Sequence, residues 1–250
     1  MVSPFPINYI GDCMTQQKAK PRARSRKTSE VTYKGAAHKT KSGLKPKTLN
    51  QGSLITAIKE SSQVIVFGPA GTGKTYVTAS AASDMFLTKE VEKIVITRPM
   101  VSVGKDIGIL PGELIDKVSP WALPVLDILI KHLGKGTVET ALKAGNIEIA
   151  PLALMRGRSF DDAFIICDEA QNITTAELKM LLTRVGEDTT IVLNGDVQQT
   201  DLRGDSGLIT ITNVAKKHNI PVPIIEFTLD DIVRSDICAM WTRAFYEEKI

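Results

Sequence analysis

Long apolar runs, cysteines and aromatic residues are all scarce in this chain of 250 residues. No run approaches the roughly 18 consecutive apolar residues that a membrane-spanning helix requires. Residues 1–14 lack the basic start and apolar centre of a secretory signal. The cysteines Cys13, Cys167 and Cys238 are odd in number and widely spaced, which excludes a disulfide framework or a metal knuckle. Together these absences predict a cytoplasmic protein without a membrane segment.

The charge is distributed unevenly along the chain, although the overall formal charge is only +3. Residues Lys18 to Lys47 include eleven basic residues and one acid, Glu30, so they carry +10 and leave −7 for the remainder. The same stretch has almost no large apolar residue, and it cannot bury enough surface to offset the entropy of ordering. We therefore predict a disordered basic arm over residues 1–47. Such an arm either contacts phosphate backbones or only keeps the protein soluble.

From Thr48 onward, short apolar runs alternate with helical patterns. Buried strands separated by helices predict an α/β fold with a mostly parallel sheet, and the absence of an internal repeat predicts one domain over residues 48–250. The apolar runs are Val64–Phe67, Ile94–Thr97, Ile147–Ala150, Ala163–Cys167, Thr190–Leu193 and Val222–Phe227. The helical patterns include Lys74–Leu87, Thr175–Val185 and Leu208–His218.

A glycine-rich segment after the first apolar run matches the P-loop pattern and opens a helical pattern. Its glycines allow successive backbone N–H groups to point at phosphate oxygens, and the helix N-terminus adds partial positive charge. We expect Lys74 to reach the β- and γ-phosphates and the Thr75 hydroxyl to bind Mg²⁺. The predicted nucleotide-binding residues are Gly68, Pro69, Ala70, Gly71, Thr72, Gly73, Lys74, Thr75 and Tyr76.

Two acids and a later polar segment predict hydrolysis rather than binding alone. Asp168 ends a predicted strand and can hold Mg²⁺ through water, while Glu169 can polarise the attacking water. A water-activating glutamate favours an NTP hydrolase over a kinase, and the N-K-x-D signature of GTPases is absent. The segment Asn194–Gln199 follows the next strand at the ligand edge of such a sheet. Its Gln199 amide can bond the γ-phosphate or the attacking water.

These segments together resemble the PhoH-like family of P-loop ATPases, which is related to the RecA-like core of superfamily 1 helicases. The resemblance covers about Thr48 to Ala244 and implies a single RecA-like domain that binds ATP and Mg²⁺. In that domain Lys74, Thr75, Asp168 and Glu169 would take the ATPase roles given above. The segments that carry it are Gly68–Thr75, Ile96–Pro99, Gly108–Gly112, Ala150–Arg158, Asp168–Asn172 and Gly195–Gln199.

The resemblance also implies roles for residues outside the P-loop. Gln51 would read adenine through its amide, Gln199 would sense the γ-phosphate, and Arg234 would stabilise the transition-state charge. Gln51 and Arg234 can also be ordinary surface residues. The three arginines Arg98, Arg156 and Arg158 would contact single-stranded nucleic acid, or else bind ATP or form interdomain ion pairs.

Two features of the family are missing from this sequence. The segment Trp121–Pro124 stands where family members often have an aromatic-arginine pair before the proline, so the resemblance does not support a nucleic-acid role there. Neither a PIN-type nuclease domain nor a KH module, which some relatives carry, is present, so we predict no nuclease activity.

A helicase ordinarily closes ATP between two RecA-like halves, and this chain has room for one. The resemblance implies a homo-oligomeric ring, such as a hexamer, with Arg234 near the subunit boundary. The leading hypothesis is an Mg²⁺-dependent ATPase that acts on RNA or single-stranded nucleic acid; whether it unwinds a duplex stays open. The alternative is an ATP-dependent switch or scaffold whose nucleotide state controls assembly with a protein partner. The −7 remainder and an aromatic content of 5% favour this alternative.

Overall fold

The computed structural model describes residues 43–99, 114–200 and 206–248, with only the backbone for residues 114–120. Residues 1–42 of the predicted arm and the segment Gly108–Gly112 lie outside the described residues. The strands are β1 Gln63–Phe67, β2 Lys93–Thr97, β3 Ile147–Ile149, β4 Ala163–Cys167, β5 Thr190–Gly195 and β6 Ile224–Glu226. The helices are α1 Leu49–Glu60, α2 Lys74–Leu87, α3 Leu114–Leu133, α4 Lys135–Ala144, α5 Thr175–Leu182, α6 Gly207–Lys217 and α7 Asp236–Glu248.

The strands form one sheet in the order β3-β2-β4-β5-β1-β6. The pairings described between them are all parallel, which confirms the predicted α/β fold with a mostly parallel sheet. In this order β5 lies between β4 and β1, although β1 and β5 are far apart in sequence. The carboxyl ends of these three strands therefore meet at one edge of the sheet, where ligands of open α/β sheets bind.

The sheet is buried on both faces, which explains why its strands are continuous apolar runs instead of alternating patterns. On β1, Val64 and Val66 face one hydrophobic cluster, whereas Ile65 faces the other. The first cluster includes Leu129 of α3 together with residues of α1, α2 and α4. The second includes Leu178 of α5 and residues of α6. The helices thus cover the sheet as two outer layers.

Some element ends differ from their predicted positions for local reasons. The strand predicted at Val222–Phe227 is shorter because Pro223 has no N–H for the ladder, although its carbonyl accepts a hydrogen bond from Ile65. Helix α5 ends before Val185, which instead forms an isolated bridge to Phe160.

The packed part of the chain begins within the segment predicted to be a free arm. Leu44 packs against the first hydrophobic cluster. The Thr48 side chain caps α1 by accepting a hydrogen bond from the Gln51 N–H at 3.2 Å. Residues 44–47 therefore belong with the α/β domain.

Helix α7 differs from the helices that cover the two faces of the sheet, because none of its residues is buried. Its large apolar side chains Ile237, Met240, Trp241 and Phe245 are exposed. None of the described helices is both long and apolar enough to cross a membrane.

Candidate active site

The P-loop follows β1 and leads directly into α2, and its backbone needs glycine at three positions. Gly68, Gly71 and Gly73 all have positive φ, at 143°, 79° and 86°. The space that a Cβ on Gly68 would need is filled by the backbone of Phe227. Side chains at these positions would therefore be both strained and obstructed. The loop forms as the sequence predicts because β1 and α2 hold its two ends.

The Lys74 ammonium group lies inside the loop. Its Nζ donates to the carbonyl oxygens of Gly68 at 2.7 Å and Pro69 at 2.8 Å. Burial lowers the pKa of Lys74, while the negative charges of Asp196, Asp168 and Glu169 act in the opposite direction. A cation is thus held where a P-loop receives phosphate groups.

The two predicted Mg²⁺ ligands are in contact. The Thr75 hydroxyl donates to Asp168 Oδ1 at 2.9 Å. Burial and the charge of Glu169 raise the pKa of Asp168, although the Thr75 hydrogen bond and the charges of Arg98 and Lys74 lower it. A divalent cation bound beside Asp168 would favour the ionised form of its carboxyl group.

Glu169 adopts an uncommon backbone conformation and both of its carboxylate oxygens have partners. Its φ of 54° and ψ of 38° are left-handed, a conformation that costs about 1–2 kcal/mol for a residue with a side chain. Arg98 Nη2 lies 3.7 Å from Oε1, and Gln171 Nε2 donates to Oε2 at 2.7 Å. Such strain persists where the surroundings hold the residue, which is common at functional sites.

Asp196 is a site residue to which the sequence alone assigned no role. It follows β5, and its carboxylate Oδ1 accepts a hydrogen bond from the Gln198 N–H at 3.2 Å. Its charge is the strongest of the three that raise the pKa of Lys74. Burial in turn raises the pKa of Asp196 itself. An acid directly after a strand was the available signal, but only the strand order brings β5 beside the P-loop strand.

The Gln199 side chain, the predicted γ-phosphate sensor, is exposed in this structure. Its backbone carbonyl accepts a hydrogen bond from Gln171 Nε2 at 3.2 Å. Gln199 thus lies on the loop after β5, close to Glu169 through Gln171. Its sensing role stays a prediction.

Gln51 lies beneath the P-loop and is only 4% exposed, so it is not an ordinary surface residue. Its Nε2 donates to the Thr72 carbonyl at 2.9 Å, and its Oε1 accepts from the Lys47 N–H at 2.8 Å. These contacts link α1 to the phosphate loop. The predicted contact with adenine stays a prediction.

Arg234 lies over the P-loop of its own chain. The Val233 N–H donates to the Gly71 carbonyl at 3.0 Å, and a Cβ on Gly71 would come within 2.8 Å of Arg234 Cγ. The guanidinium side chain is exposed. The predicted place of Arg234 near a subunit boundary stays a prediction.

Two predicted site residues are engaged elsewhere. The Tyr76 ring packs against α3, with its centroid 5.8 Å from that of His132 and 5.1 Å from Lys131 Nζ. Arg158 donates from Nη2 to Glu148 Oε2 at 2.9 Å and lies over the Phe160 ring. The Arg158 hydrogen bond lowers the pKa of Glu148.

The Arg158 guanidinium therefore joins β3 to the segment before β4 through an ion pair within the domain. Its contact with nucleic acid stays a prediction. Arg156 is different, since it is exposed and lies beside Leu152 and the α5 residue Glu177. Arg98 lies beside Glu169, at the edge of the sheet that carries the P-loop.

The profile of the PhoH-like protein family matches residues 43–246. This chain belongs to that family. It is 39% identical over 194 residues to Protein PhoH of Escherichia coli K12, which covers 76% of this chain and 55% of that protein. It is 42% identical over 209 residues to the PhoH-like protein of Mycobacterium tuberculosis H37Rv, which covers 82% of this chain and 59% of the relative. The chain thus spans less than two thirds of the length of these relatives.

Among solved structures, the fold is similar to that of the large terminase from a thermophilic bacteriophage. The TM-score is 0.52 at 14% identity, and the match covers 81% of this chain and 52% of the terminase chain. At this identity the likeness shows the fold alone. Together with the family, it identifies this PhoH-like chain as a P-loop NTPase-type protein.

Proposed function

We propose that this PhoH-like chain is an Mg²⁺-dependent ATPase that acts on RNA or another single-stranded nucleic acid as an oligomer. One observation carries the ATPase part of the proposal: Lys74, the Thr75–Asp168 pair and Glu169 meet at one edge of the sheet. A loop that only bound a phosphate would need the lysine and the glycines. The two acids beside them supply the metal site and the base that hydrolysis also requires.

The residues present fit a Mg²⁺ ion that is bound together with nucleotide. Thr75 and Asp168 offer one hydroxyl and one carboxylate, and the described residues contain no cluster of three or more His, Cys, Asp or Glu that could hold a metal. Mg²⁺ usually takes only one or two protein ligands and completes its octahedron with waters and substrate phosphates. When bound, it would neutralise charge that develops on the phosphate oxygens.

Each remaining side chain has a definite task in this proposal. Lys74 would exchange its two carbonyl contacts for phosphate oxygens, while Asp196 keeps its ammonium group charged. Glu169 would accept the proton of the attacking water at a carboxylate oxygen. Arg234, which lies over Gly71, would approach the γ-phosphate from the solvent side. Gln51 uses one N–H and one oxygen lone pair in its described contacts, which leaves half of its amide capacity for adenine.

The nucleic-acid part of the proposal is supported by arginines at the same edge and by the charge of the N-terminal segment. Arg98 and Arg156 are accessible, and residues Lys18 to Lys47 carry +10. The remainder carries −7, so we assign broad polyanion binding to residues 1–47 and only local contacts to the arginines.

Single-stranded oligouridylate is expected to stimulate ATP turnover, and more strongly at low than at high salt. Cations that contact phosphates release counterions, so the apparent affinity should fall at least about tenfold between ~50 and ~200 mM salt. Deletion of residues 1–42, which leaves Leu44 and Lys47 in place, should weaken this salt dependence. The measurement is steady-state turnover against oligouridylate concentration for both chains. No stimulation at either salt would contradict the nucleic-acid part and favour the switch.

Two apolar surfaces of the chain support the oligomer part of the proposal, in which a second copy of this chain is the occupant. Trp241 and Phe245 stack on the exposed face of α7, with ring centroids 5.3 Å apart. An apolar groove between α5, α6 and the sheet has exposed Val214 and Ile220 at its border. Helix α7 ends in acids, whereas α6 ends in Lys216 and Lys217. Two complementary surfaces at different places on one chain make a head-to-tail contact, which can close into a ring.

The switch or scaffold remains the second candidate, because α7 follows the P-loop contact directly. Arg234 lies over Gly71, and α7 begins at Asp236. A nucleotide-dependent movement of the loop would therefore reach the exposed apolar face of α7. Particle mass with and without ATP, together with oligouridylate stimulation, separates the two functions: the switch changes mass with ATP but does not respond to oligouridylate.

Replacing Arg234 by alanine is expected to lower ATP turnover about 10²-fold, the usual cost of removing one group that stabilises transition-state charge. Lys143→Ala, on exposed α4, is the charge-loss control. Because Arg234 contacts its own P-loop, mixing Arg234→Ala with Lys74→Ala protomers should restore no activity. Recovery in the mixture would place the arginine in a neighbour's site, and unchanged turnover of Arg234→Ala alone would refute its role.

A further inference from the structure

Both oxygens of the Glu169 carboxylate are held by side chains from other parts of the site. Gln171 donates to Oε2 at 2.7 Å, and Arg98 faces Oε1 across 3.7 Å. A general base must accept a proton from water at a carboxylate oxygen within hydrogen-bond distance. In this structure one oxygen is bonded to Gln171 and the other faces Arg98, so both positions at which a water could donate are engaged by side chains.

Both polar atoms of the Gln171 side chain form hydrogen bonds. It is 1% exposed; its Oε1 accepts from the Asp196 N–H at 3.0 Å, and its Nε2 donates to Glu169 and to the Gln199 carbonyl. These partners determine the orientation of the amide, because the Asp196 N–H can only donate, whereas the Glu169 carboxylate and the Gln199 carbonyl accept. Gln171 thus ties Glu169 firmly to the loop after β5, and it has no route to solvent.

Arg98 is the opposite kind of partner, because it can be reached from outside. Its side chain is 32% exposed, and it follows β2 at the same edge as the P-loop. Arg98 and Glu169 form one long ion pair, with 3.7 Å between Nη2 and Oε1, and not a bidentate salt bridge. Exposed pairs of this kind are weak, so another anion can compete for the arginine.

We propose that Arg98 couples strand binding to hydrolysis by restraining Glu169 until a phosphate of a bound single strand takes the arginine. This rests on the proposed ATPase function and adds the regulation of the same site. Gln171 then acts as the fixed positioning residue that keeps Glu169 in place after Arg98 has left. The left-handed backbone of Glu169 holds the carboxylate near both partners, so little movement is needed to exchange them.

The decisive experiment compares basal turnover with turnover at saturating oligouridylate in the full chain. Arg98→Gln should raise basal turnover about two- to fivefold, which is the effect of losing one exposed ion pair, and should bring the ratio of stimulated to basal turnover near one. Arg98→Lys should behave like the natural chain, because a point charge can serve a contact that is not bidentate. Lys143→Gln removes a positive charge from exposed α4 and should change neither quantity.

The possible results separate this inference from the proposed function. If the natural chain is stimulated and Arg98→Gln keeps both its basal rate and the full ratio, the coupling is wrong while the ATPase proposal stands. A lower basal rate in Arg98→Gln also overturns it, since Arg98 would then support catalysis instead of restraining it. If the natural chain does not respond to oligouridylate, the nucleic-acid part fails and the coupling fails with it. A fluorescent ATP analogue confirms that each variant is folded.

Discussion

Lys74→Ala is expected to abolish ATP turnover, with a loss of at least about 10³-fold. The Lys74 ammonium group is the cation inside the P-loop, and three acids, Asp196, Asp168 and Glu169, lie close enough to affect its pKa. Without it, the β- and γ-phosphates of a nucleotide would enter a cavity lined by negative charge. Both binding and the transition state should therefore suffer, and turnover together with the binding of a fluorescent ATP analogue measures the two effects.

Lys59→Ala is the matched control for this variant, because Lys59 is an exposed lysine at the end of α1. If Lys74→Ala keeps turnover within tenfold of the natural chain, the assignment of Lys74 is wrong.

The stability of Lys74→Ala should also depend on pH. The lysine charge lowers the pKa values of Asp168 and Asp196, so its loss raises both. Acids whose folded-state pKa is raised destabilise the fold above their ordinary pKa and less so below it. The Tm of Lys74→Ala relative to that of the natural chain should thus rise as the pH is lowered through the raised carboxyl pKa values.

Glu169→Gln is expected to leave ATP binding intact and to slow hydrolysis about 10²- to 10⁴-fold, the usual contribution of a general base. Glutamine has the same shape, and its amide oxygen can still accept the hydrogen bond from Gln171. It cannot take a proton from water. ATP should therefore remain bound and unhydrolysed, which is measured by single-turnover kinetics and by the nucleotide retained after rapid desalting.

Glu187→Gln, in an exposed turn before β5, controls for the loss of one carboxylate. The two variants have to differ in kind: Lys74→Ala should bind ATP poorly, whereas Glu169→Gln should hold it. Persisting turnover in both would mean that hydrolysis does not occur at this site, and the proposed ATPase function would then be wrong. Fast hydrolysis by Glu169→Gln alone would transfer the role of base to another group, with Asp196 as one candidate, since its charge acts on Lys74.

Most of the fold was predictable because its signals are local. Each of the six predicted strands appears in the sheet, and α2 has the predicted bounds Lys74–Leu87. Buried apolar runs between turn residues and a glycine-rich loop are properties of short segments, and neighbouring residues determine them. The ends of β6 and α5 were less predictable, because Pro223 and a bridge at Val185 decide them.

The partners within the site were less predictable than the elements. Sequence analysis assigned no role to Asp196, since nothing local indicates that β5 pairs with the P-loop strand. The ion pair of Arg158 with Glu148 of β3 was not predicted either. The contact of Arg234 with Gly71 was also not predictable from local sequence. Each of these contacts joins segments that are distant in sequence or separated by a turn.

By itself the sequence determined the P-loop, the acids after β4, the α/β alternation and the family, because each depends on residue types at short spacings. Only the tertiary structure decided which charges face one another. It brought Asp196 to Lys74, Arg98 and Gln171 to the two oxygens of Glu169, and Gln51 beneath Thr72. The physical reason is the strand order, because parallel pairing places the carboxyl ends of β1, β4 and β5 side by side and so concentrates their polar residues in one place.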